Sequence, residues 1–185
     1  QSRFAERLYP GLIWLTGISL VLIMALRSNH IIGSDTLESF YVFQITLDQM
    51  HWGITTPSLI GSLLSISLLP SIYQVFLNIN TELLFKVLYP VLLSISPLVV
   101  YITARKYTGA FYAFLASFFF MSQFIFLWTT SASQTNMAIL FFALSVMVMF
   151  FDGINEFARR LLLIIFAASS LLSHYSTSYI FFFLI

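Results

Sequence analysis

Cysteine is absent from the 185 residues, which excludes a disulfide framework, thiolate metal sites and a cysteine nucleophile. Charge is nearly as scarce. Eight Lys and Arg and seven Asp and Glu make up 8% of the chain, against about a quarter in an ordinary soluble domain. The formal net charge of +1 removes nucleic acid as a partner. No internal repeat and no mid-span charge is visible, so a transporter fragment built on discontinuous repeated helices has nothing to support it. What fills the sequence instead is apolar. Hydrophobic side chains account for 59%, aromatics for 18% with 21 Phe, and the mean hydropathy is +0.95. One core of this size cannot hide that surplus, so lipid is expected to cover much of it.

The apolar runs predict five spans, at about 9–26, 83–104, 110–128, 132–151 and 161–185, each approaching the 20 residues that cross a hydrocarbon layer of roughly 30 Å. Pro90 and Pro97 in the second are tolerated where neighbouring helices satisfy the freed backbone groups. The last run, Tyr179 to Ile185, has no polar flank, and the sequence is expected to be the N-terminal part of a longer transmembrane domain.

The few basic residues orient these spans. Arg3 and Arg7 precede the first, Arg105 and Lys106 follow the second, and Arg159 with Arg160 follow the fourth. If the spans alternate, all three groups fall on one side, and the positive-inside rule makes that side cytoplasmic together with the N-terminus. The expectation is therefore an all-α integral membrane protein of the cell membrane, a multi-pass helical bundle. Trp52 and Trp128 are candidates for interfacial anchoring, and Trp14 for anchoring or core.

The outer connection, residues 27–82, is too long for a simple loop and too apolar for a solvated one. From Ser34 it opens an amphipathic helix in which Leu37, Phe40, Tyr41, Leu47 and Met50 recur at helical spacing. Farther on, Pro57 to Ile79 reads as a re-entrant or interfacial helix pair.

Asp35 and Glu38 lie three apart on one face of the amphipathic helix, and two readings of them stay open. They cap its start, satisfying backbone N–H groups and the positive end of the dipole. Alternatively, a carboxylate held at the membrane face acts as a base or a metal ligand. His30 and His51 flank this helix without any further metal-ligand spacing. His174 stands in a polar patch, Ser173 to Thr177, within an apolar run; it is either functional or an interhelical hydrogen-bonding group. The topology directs Asp35, Glu38, the turn from Thr129 to Asn136 and His174 to one outer face, where chemistry between a lipid-borne donor and an extracytoplasmic acceptor would occur.

This order of features resembles the GT-C superfamily of membrane glycosyltransferases, in which an acidic residue follows the first span in a long outer loop with a helix along the membrane. Three segments resemble more closely a family of predicted archaeal membrane proteins of that architecture: Gly33 to Tyr41; Leu64 to Pro70 with Phe85 to Pro90; and Ser173 to Tyr179. The resemblance covers nearly the whole chain. It implies transfer of a sugar, with inversion, from a polyprenyl-phosphate donor. Asp35 would be the general base or the ligand of a divalent cation, Glu38 its helper, and Gln134, Asn136, His174 and Tyr175 substrate-binding residues. The sequence departs from the family pattern in having no charged residue in Gln134 to Phe141 and no acid in the turn Thr129 to Ser133. That departure favours the alternative, a non-catalytic membrane scaffold or anchor working with other membrane subunits in a larger assembly.

Overall fold

The computed structural model describes residues 2–53, 60–174, 176, 179 and 183, and among them every regular element is helical. In chain order these are α1 Ser2–Ala25, α2 Ser34–Gln49, a short 3₁₀ turn Ile60–Ser62 and α3 Leu64–Leu77. A long interrupted run follows: α4 Thr81–Leu83, a π-helical turn Leu84–Leu88, α5 Tyr89–Leu93 and α6 Ser96–Thr108. The chain continues with α7 Ala110–Ser122, α8 Phe124–Trp128, a 3₁₀ turn Thr129–Ser131, α9 Ser133–Phe150 and α10 Glu156–Ser173.

Three of these stretches are long and apolar enough to cross a membrane: Glu6–Ala25, Thr81–Thr108 and Ser133–Phe150. The others depart from the expected spans. The run 110–128 is not continuous, because α7 stops at Ser122 and Gln123 takes an extended backbone (φ −67°, ψ 133°). Ser122 Oγ and Gln123 Nε2 both donate to the Phe119 carbonyl, at 2.8 and 3.0 Å, occupying the acceptor that the Gln123 N–H needs to continue the helix. The thirteen residues of α7 then reach only about 20 Å. The run expected at 161–185 holds α10, which starts earlier at Glu156 and ends at Ser173; residues 175, 177, 178, 180–182, 184 and 185 lie outside the described ones. Between Pro57 and Ile79 the described residues hold one helix, α3, preceded by a 3₁₀ turn, where a helix pair was expected; residues 54–59 lie outside the described ones.

Prolines shape the long run. Pro90 and Pro97 lack the N–H that would bond the carbonyls of Lys86 and Leu93. The helix widens into the π turn just before the first and breaks at Ser94 and Ile95 just before the second.

Two apolar clusters hold the bundle. One joins Phe43 of α2, Ile66 of α3, Phe85 and Tyr89 of the long run and Met137 of α9. In it Phe40, Phe43, Phe85 and Tyr89 form a chain of rings with centroids 5.0–5.8 Å apart. The second joins Ile13 and Val21 of α1 to Leu93, Tyr101, Ala113, Met121 and Phe126. Between helices the contact residues are small. Ser39, Ser67, Ser94, Ser96, Ser117, Ser133, Ser145, Ser170 and Ser173 are all at most 1% exposed, allowing close approach of helix backbones.

The outward surface is unusually apolar. Phe76 is 82% exposed, Phe157 77%, Phe124 74% and Phe119 71%, more than a water-facing surface ordinarily carries together. Trp14 is 40% exposed, which removes the core reading of that residue.

Charged residues collect at the two ends. Arg7 at the start of α1 and Arg105 at the end of α6 line one cavity with Glu6 and Pro10. Beside them Lys106 pairs with Asp152 at 2.6 Å, and Arg159 Nη2 donates to the Phe151 carbonyl. The opposite end of α1 leads to Arg27 and Asp35, and the opposite end of α9 begins with Ser133 and Gln134. Hydrogen bonding to Lys106 and its positive charge hold the Asp152 carboxyl below its usual range.

Candidate functional site

The packing face of α2 differs from the one its apolar periodicity suggests. Phe40 and Leu47 do join the core, but Leu37, Tyr41 and Met50 are 51%, 57% and 76% exposed. The buried stripe is Thr36, Ser39, Val42, Phe43 and Thr46. Small hydroxyl residues face the bundle while larger apolar side chains point outward, an arrangement typical of helices surrounded by apolar medium.

That rotation brings the N-terminal turn of α2 onto the start of α9. Gln134, 2% exposed, donates through Nε2 to Asp35 Oδ2 at 3.2 Å, while Ser34 Oγ donates to Asp35 Oδ1 at 3.1 Å. Ser39 Oγ donates to the Asp35 carbonyl at 2.6 Å and lies 3.0 Å from Gln134 Oε1. Ser133 Oγ approaches Thr36 Oγ1 at 3.4 Å. Asp35 itself is exposed, so its carboxylate is oriented from behind and open in front. The N-cap of α2 is Gly33, which has no side chain to cap with, and Asp35 stands in the first turn, where a carboxylate suits the positive end of the dipole.

Gly33 explains how the turn fits. Its φ of +103° is open only to glycine, and a Cβ there would lie 2.3 Å from the Ser131 carbonyl oxygen. The α2 start is thus seated directly on the 3₁₀ turn before α9.

His174 completes the group, though not from within a helix. It follows the last residue of α10 with extended backbone (φ −156°, ψ 119°), its N–H donating to the Ser170 carbonyl at 3.1 Å. Burial lowers the imidazole pKa below the ordinary 6.5, and the nearby Asp35 charge opposes that shift. Gln134 therefore meets Asp35, and His174 stands near enough to feel the Asp35 charge. Glu38 is exposed one turn beyond Asp35.

Asn136 does not join them. Two residues beyond Gln134, it projects roughly 200° around α9 and is 1% exposed, with neither amide atom hydrogen-bonded among the described residues. Tyr175 lies outside the described residues. Among those described, no three His, Asp or Glu side chains are grouped to hold a metal. His30 is exposed before α2, and His51 lines a separate cavity with Trp52, whose Nε1 donates to Ser67 Oγ at 3.1 Å.

Sequence reasoning missed the hydroxyls Thr36, Ser39 and Ser133. Their spacing along α2 and at the head of α9 was a usable signal, because small polar residues mark helix contacts in apolar surroundings. No protein-family model matches the chain, and neither the curated proteins nor the solved structures contain a match.

Proposed function

We propose that the chain is a multi-pass membrane protein with a GT-C-like bundle, and that its Asp35 end transfers a sugar from a polyprenyl-phosphate donor to an extracytoplasmic hydroxyl. The observation that carries this reading is the exposed Asp35 carboxylate, held by the Gln134 amide of α9. Its carboxylate oxygen is positioned but not consumed by an ion pair among the bonds described, as a general base requires.

In the reaction, Asp35 accepts the proton of the acceptor hydroxyl. The hydroxyl oxygen bonds to the anomeric carbon as the bond from that carbon to the phosphate oxygen breaks, and the electron pair leaves with the polyprenyl phosphate. Single displacement inverts the anomeric centre. Burial holds the His174 imidazole below its ordinary pKa, so a polar, neutral ring stands near the same end of the bundle at pH 7.

A scaffold role is the second reading, and one observation favours it: Ser131, in the turn against which Gly33 closes, stands in a stretch without any acid. The two readings separate on Asp35→Asn. In membranes containing the full chain, the transferase reading expects loss of sugar transfer from the polyprenyl-phosphate donor with normal expression. Unchanged transfer removes Asp35 as base, and a wild-type chain that transfers nothing while co-purifying with partner subunits supports the scaffold.

A further inference from the structure

Beside the Asp35 turn, at Thr36, lies a cavity of about 250 Å³. It is enclosed by the end of α1, the start of α2, the π turn and α8 with the 3₁₀ turn that follows. Its lining includes Arg27 and Lys86 and no carboxylate. Two cations facing one small cavity is a conspicuous use of charge in a chain with only eight Lys and Arg.

Lys86 is the more informative of the two. It sits six residues into a helical run long enough to cross a membrane, where a cation is unfavourable unless it has a task. It belongs to the π-helical turn, a distortion that frequently accompanies functional sites. Its ammonium donates to the Ser28 carbonyl, which ties the long run to the segment following α1 and leaves two further N–H donors. Arg27, exposed at the opposite wall, supplies a planar fork suited to phosphate oxygens. Thr36 adds a hydroxyl whose oxygen accepts from Ser133, leaving its own proton to donate. Thr130 and Ser131 donate to the carbonyls of Leu127 and Trp128, so the anion contacts fall to the two cations and Thr36.

We propose that this cavity is a phosphate-binding site for the headgroup of a membrane lipid, with Arg27 and Lys86 holding the phosphate oxygens. The volume suits a phosphate or diphosphate group and is below that of a pocket for a larger ligand. Phe124 and Trp128, 74% and 58% exposed, stand in its wall and continue onto the apolar outer surface, which gives the lipid chain an exit. The anion site stands on this geometry; its use by a sugar donor rests on the transferase reading.

The test is binding to the full chain in nanodiscs. The probes are a polyprenyl monophosphate, the uncharged polyprenol of the same length, and inorganic phosphate as competitor. The wild type is expected to retain the lipid phosphate over the polyprenol. Arg27→Gln is expected to weaken lipid-phosphate binding about tenfold, the scale of one charge-assisted contact. Lys86→Gln should do the same, and because Lys86 also holds Ser28, the exposed Arg27→Gln carries the result if Lys86→Gln misfolds. Little competition by millimolar inorganic phosphate supports the lipid as the source. Complete competition overturns the lipid assignment in favour of a soluble phosphate compound. Lipid-phosphate binding unchanged in Arg27→Gln overturns the site altogether. Cation-dependent binding by a chain that transfers no sugar supports the anion site and refutes the transferase, whereas transfer with binding indifferent to both variants does the reverse.

Discussion

Replacing Gly33 with alanine places a methyl carbon 2.3 Å from the Ser131 carbonyl oxygen and 2.6 Å from the Ser131 Cβ. Backbone atoms must retreat by roughly 0.7 Å, from 2.3 to 3.0 Å, merely to reach the closest contact that real Cβ atoms tolerate. The φ of +103° adds backbone strain of about 1–3 kcal/mol for any residue with a side chain. Strain and overpacking together should cost about 2–4 kcal/mol. For a chain of this length that lowers the melting temperature by roughly 4–16 °C. Thermal unfolding in detergent followed by tryptophan fluorescence reads it, with Trp128 beside the affected turn as a reporter. Two other glycines separate the causes. Gly109 also has positive φ, at +82°, but nothing lies within 4 Å of its Cβ position, so Gly109→Ala isolates the strain. Gly11, inside α1 with open space around it, should gain up to about 1 kcal/mol as alanine. A Gly33→Ala protein that melts no lower than Gly109→Ala would refute the seating of α2 on the Ser131 turn.

Gln134→Leu keeps the volume but removes the bond to Asp35 Oδ2, and about 1–3 kcal/mol of stability should go with it; an unchanged melting temperature would show that the bridge between α2 and α9 carries no energy. For His174, the native pKa lies below the unfolded 6.5, so below pH 6.5 the unfolded chain binds more protons than the native one. Its contribution is intact above pH 6.5 and declines as pH falls from there through the lowered native value. NMR titration of the imidazole should show that lowered midpoint, and Asp35→Asn, which removes the opposing charge, should lower it further. A midpoint at or above 6.5 contradicts the burial of His174 beside Asp35.

Run length made α1 and α9 readable, because an uninterrupted apolar stretch leaves the helix as the way to satisfy its backbone. The break at Gln123 was hidden by the same hydropathy, since it arises from two side chains competing for the Phe119 carbonyl. The bond between Gln134 and Asp35 joins two residues singled out in the sequence, although Asn136 shares the same stretch and faces elsewhere. Period alone could not separate these two amides without knowing which side of α9 meets α2. The face of α2 was misread for a related reason. Apolar spacing picks out the packed side in water, whereas here Ser39 and Thr36 pack and Leu37 and Tyr41 point outward. Lys86 interrupts the apolar run only near its start, and Arg27 came to the same cavity only through the fold.

Charge is separated along the bundle: Asp35 and its neighbours lie at one end, Arg7, Arg105 and Lys106 at the other, with a membrane proposed between them. Because native cysteine is absent, single-cysteine labelling of intact cells tests it directly. Ser34→Cys, exposed beside Asp35, is predicted to react with a membrane-impermeant thiol reagent added from outside. Thr108→Cys, exposed beyond Lys106, is predicted to react only after permeabilisation. Labelling of both positions from the same side, or the reverse pattern, would contradict the proposed topology and the extracytoplasmic site built on it.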